Sequence, residues 1–189
     1  YFGAFKKVAY RLGADHNEFW RGHRILTQRA ILRMAEAQLA SELLVAMIRG
    51  LTDKRGMIEP TYEEFDNEFP QQRKLTQEFK DTIGTIDRTF GEILRDTEFR
   101  RVPLFYSLFL VTYDALYGMP ESGHEGGLQL TRHKPLRNAL LRLDEQLTAE
   151  EPETGYLQFR EASLRQTDNL RPRRIRHEAI WNELSPHFA

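Results

Sequence analysis

Apolar residues recur with a helical period along most of the chain, and no segment shows the sustained alternation of a strand. In the first such segment, Phe5, Val8 and Leu12 follow this period. Gly13 comes next and is predicted to end that helix. The pattern as a whole predicts an all-α fold, an irregular multi-helix bundle of about seven to nine helices. We expect residues 1–189 to form a single helical domain.

Capping residues divide the pattern further. Thr27 is a suitable N-cap for one long helix that runs to Arg49, where Gly50 stops it. The T-x-x-E sequence from Thr61 to Glu64 predicts that a short helix begins at Thr61. In such a capping box, the hydroxyl and the carboxylate each bind a backbone N–H that the helix itself leaves free.

The most apolar segment runs from Val102 to Tyr117, with Pro103 in its first turn and Gly118 directly after it. It is too short to span a membrane and contains polar residues, so it is predicted to be a buried core helix. Residues 119–130 follow and include three glycines. We expect this loop to be the most mobile internal segment, because few apolar residues offset the entropy of ordering it.

Composition narrows the classes of function. The chain has 27 Lys and Arg against 28 Asp and Glu, a formal net charge of -1, so no global field attracts nucleic acid or a membrane. The absence of cysteine excludes a disulfide scaffold and a thiol nucleophile and fits a cytoplasmic location. The first residues do not form a signal peptide. Because the chain opens on Tyr1 within an amphipathic pattern, we expect it to be the C-terminal part of a longer protein.

The densest charge feature is a basic cluster around the start of the last helix, which is predicted to begin near Pro172. Its members are Arg165, Arg171, Arg173, Arg174, Arg176 and His177. Helix N-termini attract anions and Arg side chains match phosphate oxygens, so this cluster is the candidate nucleic-acid-binding site. The alternative is a face held by internal salt bridges, for which Asp168, Glu178 and Glu183 are nearby partners.

Other chemistry has weaker support. Arg11 with His16 and Arg171 with His177 have the spacing of an all-α ribonuclease, in which the histidine is the base and the arginine steadies the phosphate. The sequence contains no H-E-x-x-H, phosphate-binding glycine motif or G-x-S-x-G, so we expect no metal, no cofactor and no catalytic residue. Glu42 is an isolated acid in an apolar helix and is predicted to pair with an arginine.

Three stretches carry a resemblance to a known family. They are LTQRAILRM at 26–34 running into SELLVAM at 41–47, FRRVPLFYSLF at 99–109, and the segment 165–177. Together they resemble the helical region that follows the ParB/sulfiredoxin-like domain in proteins related to the GmrSD-type modification-dependent restriction endonucleases. The likeness spans most of the chain.

The resemblance implies a non-catalytic helical module of a restriction or phage-defence protein. Members of the family carry a D-G-Q-Q-R motif in the N-terminal domain and some add an HNH-type nuclease, and neither motif occurs in this sequence. The implied partners are a ParB-like domain of the same protein and DNA, with no membrane. A stand-alone ribonuclease that uses an Arg/His pair and a structural oligomerisation domain are the alternative functions.

Overall fold

A computed structural model describes residues 3–53 and 56–189, and all regular secondary structure within them is helical. The α-helices in these ranges are α1 (Ala4–Asp15), α2 (Asn17–Gly22), α3 (Gln28–Ile31), α4 (Ala35–Arg49), α5 (Ile58–Glu64), α6 (Gln72–Leu94), α7 (Val102–Tyr117), α8 (His133–Thr148), α9 (Leu157–Leu164) and α10 (Leu170–Leu184). The predicted all-α class is confirmed. The ten helices exceed the predicted number because α2 and α3 have only six and four residues.

Helix α7 is the centre of the fold. Its residues from Leu104 through Ala115 are all buried, and it packs against α4, α6 and α10. A helix that is apolar on every side is stable only where neighbours cover every side, which is what these three helices do. The predicted core helix is therefore confirmed, with the predicted bounds. Among the described residues, none of the helices combines the length and the apolarity needed to cross a bilayer.

The prediction that Gly13 ends the first helix is wrong. Helix α1 continues to Asp15, and Gly13 is buried where α1 crosses α4. A Cβ atom at Gly13 would lie 2.8 Å from the backbone carbonyl of Glu36. The Gly13 carbonyl also accepts a 2.9 Å hydrogen bond from Trp20 Nε1. Glycine is required here by the close approach of two helices and not by a helix end.

Thr27 caps a helix as predicted, but the helix is short. Its hydroxyl accepts a 3.2 Å hydrogen bond from the Ala30 N–H at the start of α3. Met34 then adopts a left-handed backbone with φ of 62°, and α4 begins only at Ala35. The predicted single helix is thus two helices separated by a sharp turn.

The capping-box prediction at Thr61 is also wrong. Helix α5 begins at Ile58, three residues earlier, so Thr61 lies inside it. The buried Thr61 hydroxyl donates to the Met57 carbonyl at 2.6 Å and accepts from Arg49 Nε at 3.0 Å. This threonine joins α5 to α4 instead of capping α5.

The loop of residues 119–130 is fastened to the bundle at several points. Its Gly127 and Leu128 N–H groups each donate to carbonyls in the last turn of α7, both at 2.9 Å. Gln129 pairs with the backbone of Ala189 through two hydrogen bonds of 2.8 and 2.9 Å. These bonds hold the loop across the C-terminal end of α7, next to α10.

Candidate functional site

The predicted basic cluster does not form one surface. Its members lie on opposite sides of the chain segment around the start of α10. The exposed members are Arg165, Arg171 and Arg174, and the buried members are Arg173, Arg176 and His177. On a helix, positions 173, 176 and 177 share one face, and in α10 that face packs on α7. The prediction that all six side chains form one binding surface is therefore corrected to three exposed arginines.

Arg173 is held by an internal acid. Its guanidinium donates to Glu42 Oε2 on α4 at 2.9 Å and lies 4.3 Å from the centre of the Tyr106 ring on α7. The Asp168 carboxylate lies farther from the Arg173 guanidinium, at 4.0 Å. The predicted pairing of Glu42 with an arginine is confirmed. Arg173 thus ties α4 and α7 to α10.

Arg176 is fully buried and is bound by neutral oxygens. It donates to Ser107 Oγ at 2.9 Å, to the Ala162 carbonyl at 2.6 Å and to the Thr167 carbonyl at 2.7 Å. Burial, followed by the charge of nearby Arg173, lowers the pKa of Arg176 to about 10. The guanidinium therefore remains a cation at neutral pH and connects α7, α9 and α10.

A second polar group lies near the other end of α7, around the buried carboxylate of Asp114. Asp114 Oδ1 accepts hydrogen bonds from the Met119 N–H and from Ser122 Oγ, both at 2.7 Å. Asp114 Oδ2 lies 2.7 Å from His124 Nδ1 and 3.3 Å from His177 Nε2. The last contact is within ion-pair distance but lacks the geometry of a full hydrogen bond.

The Asp114 carboxylate is ionised at neutral pH. Burial alone raises its pKa, but the close contact with His177 and hydrogen bonds from His124, Ser122 and the Met119 backbone outweigh burial, so the pKa lies below the ordinary value of 3.8. A fixed negative charge is thus in contact with two imidazole rings. Such a carboxylate fixes the orientation of both imidazoles.

The two histidines line a cavity of about 340 Å³ between α10 and the loop of residues 119–130. His124 stacks on Trp181 of α10 with ring centres 3.6 Å apart and planes 7° apart. Arg174, Glu121 and Glu178 also line this cavity. Among the described residues, no group of three or more His, Asp or Glu side chains is arranged to hold a metal ion.

The group around Asp114 was not predicted, although the sequence of α7 contains a signal for it. Asp114 is the only charged residue in the sequence of α7, and Glu42 is likewise an acid placed next to apolar residues of α4. An isolated acid in a core helix indicates a buried partner. The identity of that partner was not predictable, because His124 lies in a loop and His177 is 63 residues further along the chain.

Neither Arg–His pair predicted for a ribonuclease comes together at a site. Arg11 is exposed, whereas the His16 ring packs on Trp20 and Phe79 and its Nδ1 lies 2.7 Å from the Leu12 carbonyl. Burial lowers the pKa of His16. In the second pair Arg171 is exposed and lines a separate groove beside Arg165, while His177 faces Asp114.

No family model matches the chain, and neither a curated protein nor a solved structure matches it.

Proposed function

We propose that this chain is the helical module of a GmrSD-related restriction or phage-defence protein, where it scaffolds a ParB-like domain and contacts DNA. One observation carries the proposal: the three stretches that resemble the family meet in one buried network. Glu42 belongs to the first stretch, Tyr106 and Ser107 to the second, and Arg173 and Arg176 to the third. Stretches that share a core in this way act as one structural unit, which supports a resemblance of fold and context.

The exposed arginines support contact with DNA. Among the described residues, no carboxylate oxygen lies within 4.0 Å of the guanidinium groups of Arg165, Arg171 or Arg174. Arg165 and Arg171 line one groove at the start of α10. Arginine side chains with no internal partner are free to bind phosphate oxygens, and the partial positive charge of the helix start adds to their attraction.

Salt-dependent binding tests the DNA contact. We expect the chain to bind duplex DNA with little sequence preference, and the double variant R165Q/R171Q to flatten the slope of log affinity against log salt by up to about 1.8, or 0.9 per lost phosphate contact. The control is Arg11→Gln, which removes an exposed arginine from α1, a helix that does not pack on α10. An undiminished slope in the folded double variant, or an equal loss in the control, would contradict the contact.

The parent reading frame tests the context. We expect a coding sequence for a domain with a D-G-Q-Q-R motif immediately upstream of Tyr1 in the same frame. When both parts are expressed as one protein, the ParB-like domain should bury surface of this chain and protect it from proteolysis. A frame that starts directly before Tyr1 would remove the proposed scaffold role.

A further inference from the structure

The group around Asp114 has no role in the proposed function and has the form of an acid–base site. One carboxylate oxygen of Asp114 faces His124 Nδ1 at 2.7 Å and His177 Nε2 at 3.3 Å. Each imidazole therefore directs one nitrogen to Asp114 and has one nitrogen left, Nε2 in His124 and Nδ1 in His177. Both rings line the same cavity, and their centres are 6.5 Å apart.

The charge balance favours one acid and one base. A single buried carboxylate compensates one imidazolium cation, and a second proton would place two cations side by side in a partly buried space. His124, with 30% of its side chain exposed, is the better placed of the two to take a proton at Nε2 from a bound substrate. The opposite role falls to His177. Two imidazoles in opposite protonation states can move a proton onto one atom and off another in a single reaction.

The described residues that line this cavity include no ready nucleophile. The chain contains no cysteine, and the Ser122 hydroxyl donates to Asp114 at 2.7 Å. A substrate that carries its own hydroxyl next to the reacting group needs no nucleophile from the protein. RNA is such a substrate, because its 2′-hydroxyl lies beside the phosphodiester. Arg174 lines the cavity as an exposed cation suited to a phosphate oxygen.

We propose that this cavity is a site of RNA cleavage, an activity that goes beyond the DNA-directed function proposed above. His124 Nε2 takes the proton from the 2′-hydroxyl, and the 2′-oxygen forms a bond to phosphorus. The bond from phosphorus to the 5′-oxygen breaks, and His177 Nδ1 gives its proton to that oxygen. The products are a 2′,3′-cyclic phosphate and a 5′-hydroxyl, so no oxidant, reductant or added nucleophile is consumed.

The test is cleavage of a short single-stranded RNA by the full chain in buffer that contains EDTA, with the ends of the products identified. We expect a 2′,3′-cyclic phosphate, no cleavage of the 2′-deoxy oligonucleotide, and a rate that rises and then falls with pH. His124→Asn should lower kcat/KM at least about 100-fold. Arg174→Gln should raise KM about tenfold with a smaller change in kcat, because it removes phosphate binding. His133→Asn, on α8 and outside the cavity, is the matched control and should cleave at the wild-type rate.

Three outcomes would overturn the proposal. They are the absence of cleavage by folded wild-type protein, cleavage that His124→Asn leaves intact, and cleavage of the 2′-deoxy oligonucleotide. If His124→Asn does not fold, Arg174→Gln decides the question, since its side chain is exposed and its loss does not affect the core. Glu178→Gln gives an independent check: removal of a negative charge from the cavity wall should lower KM, and a raised KM would contradict phosphate binding there. These readouts do not depend on DNA binding, so either proposal can fail alone.

Discussion

Two helix contacts in this bundle are built in opposite ways. The buried face of α1 against α4 carries no charge, and Gly13 lets the two backbones approach closely. The face of α10 against α7 instead buries Arg173, Arg176 and His177. Shape determines the first contact, because small and apolar side chains have no required partner. Pairing determines the second, because each buried polar group needs a specific acceptor. The two contacts should therefore respond differently to substitution.

The largest effect is expected from Arg173→Ala, which leaves the Glu42 carboxylate, only 15% exposed, without its cation. Removal of one partner from a buried ion pair destabilises a protein by about 3–5 kcal/mol. Urea denaturation would measure this loss. Arg171→Ala is the matched control, since Arg171 is exposed two positions away, and it should change stability by no more than about 0.5 kcal/mol.

A double variant sharpens that result. In E42L/R173M both charges are replaced by apolar side chains of similar size, which should recover most of the stability lost in Arg173→Ala. If E42L/R173M is no more stable than Arg173→Ala, the contact of the guanidinium with the Tyr106 ring is more important than its pairing with Glu42.

The next effect is expected from Asp114→Asn. This change removes the charge that accepts from Ser122, His124 and the Met119 backbone, and should cost about 1.5–3 kcal/mol at pH 7. The folded-state pKa of Asp114 lies below the unfolded value of 3.8, so ionisation of this carboxyl stabilises the fold above pH 3.8. That stabilisation is lost as the pH falls toward the folded-state pKa.

The pH dependence of unfolding would test this assignment. Chemical denaturation between pH 2 and pH 7 should show a steeper loss of stability on acidification in the wild type than in Asp114→Asn. Parallel curves for the two proteins would mean that Asp114 is not the carboxylate that responds in this range.

The smallest effect is expected at the apolar contact. Gly13→Ala places a methyl group 2.8 Å from the Glu36 carbonyl, so α1 and α4 must move apart, at a cost of about 1–3 kcal/mol. Gly22→Ala is the control because a Cβ there meets no atom within 4 Å, and it should be neutral or stabilising by up to about 1 kcal/mol. Thermal melts of both variants would show whether the close approach of α1 and α4 or the helix propensity of alanine determines the change in stability.

The difference between the two helix contacts also explains which parts of the fold could be predicted from the sequence. The almost wholly apolar segment 102–117, with Pro103 near its start and Gly118 after its end, predicted the core helix α7 with its bounds, because such a segment indicates burial on every side. The stop and capping signals at Gly13 and Thr61 gave wrong predictions, because the roles of these residues depend on helices that lie elsewhere in the chain. The close approach of two helices and the burial of a hydroxyl leave no pattern in the neighbouring sequence.

The site was predicted less completely than the fold. An arginine partner for Glu42 was predicted from the isolated acid, yet its identity was not, since Arg173 is 131 residues away. In a run of arginines, the exposed and buried members have the same side chain. Arg174 differs from Arg173 and Arg176 only in the face of α10 on which it lies, and that face is exposed.

The burial of α7 has a consequence for biosynthesis. Two of its three packing partners, α4 and α6, are made before it, but α10 follows it along the chain and leaves the ribosome later. Until then, Tyr106 and Ser107 on the side of α7 that faces α10 lack the two arginine side chains of α10 that cover them. A nascent chain that pauses before α10 therefore exposes surface of its core helix to chaperones and to other chains. Completion of this core depends on α10, so truncation before it should send the product to aggregates or proteases.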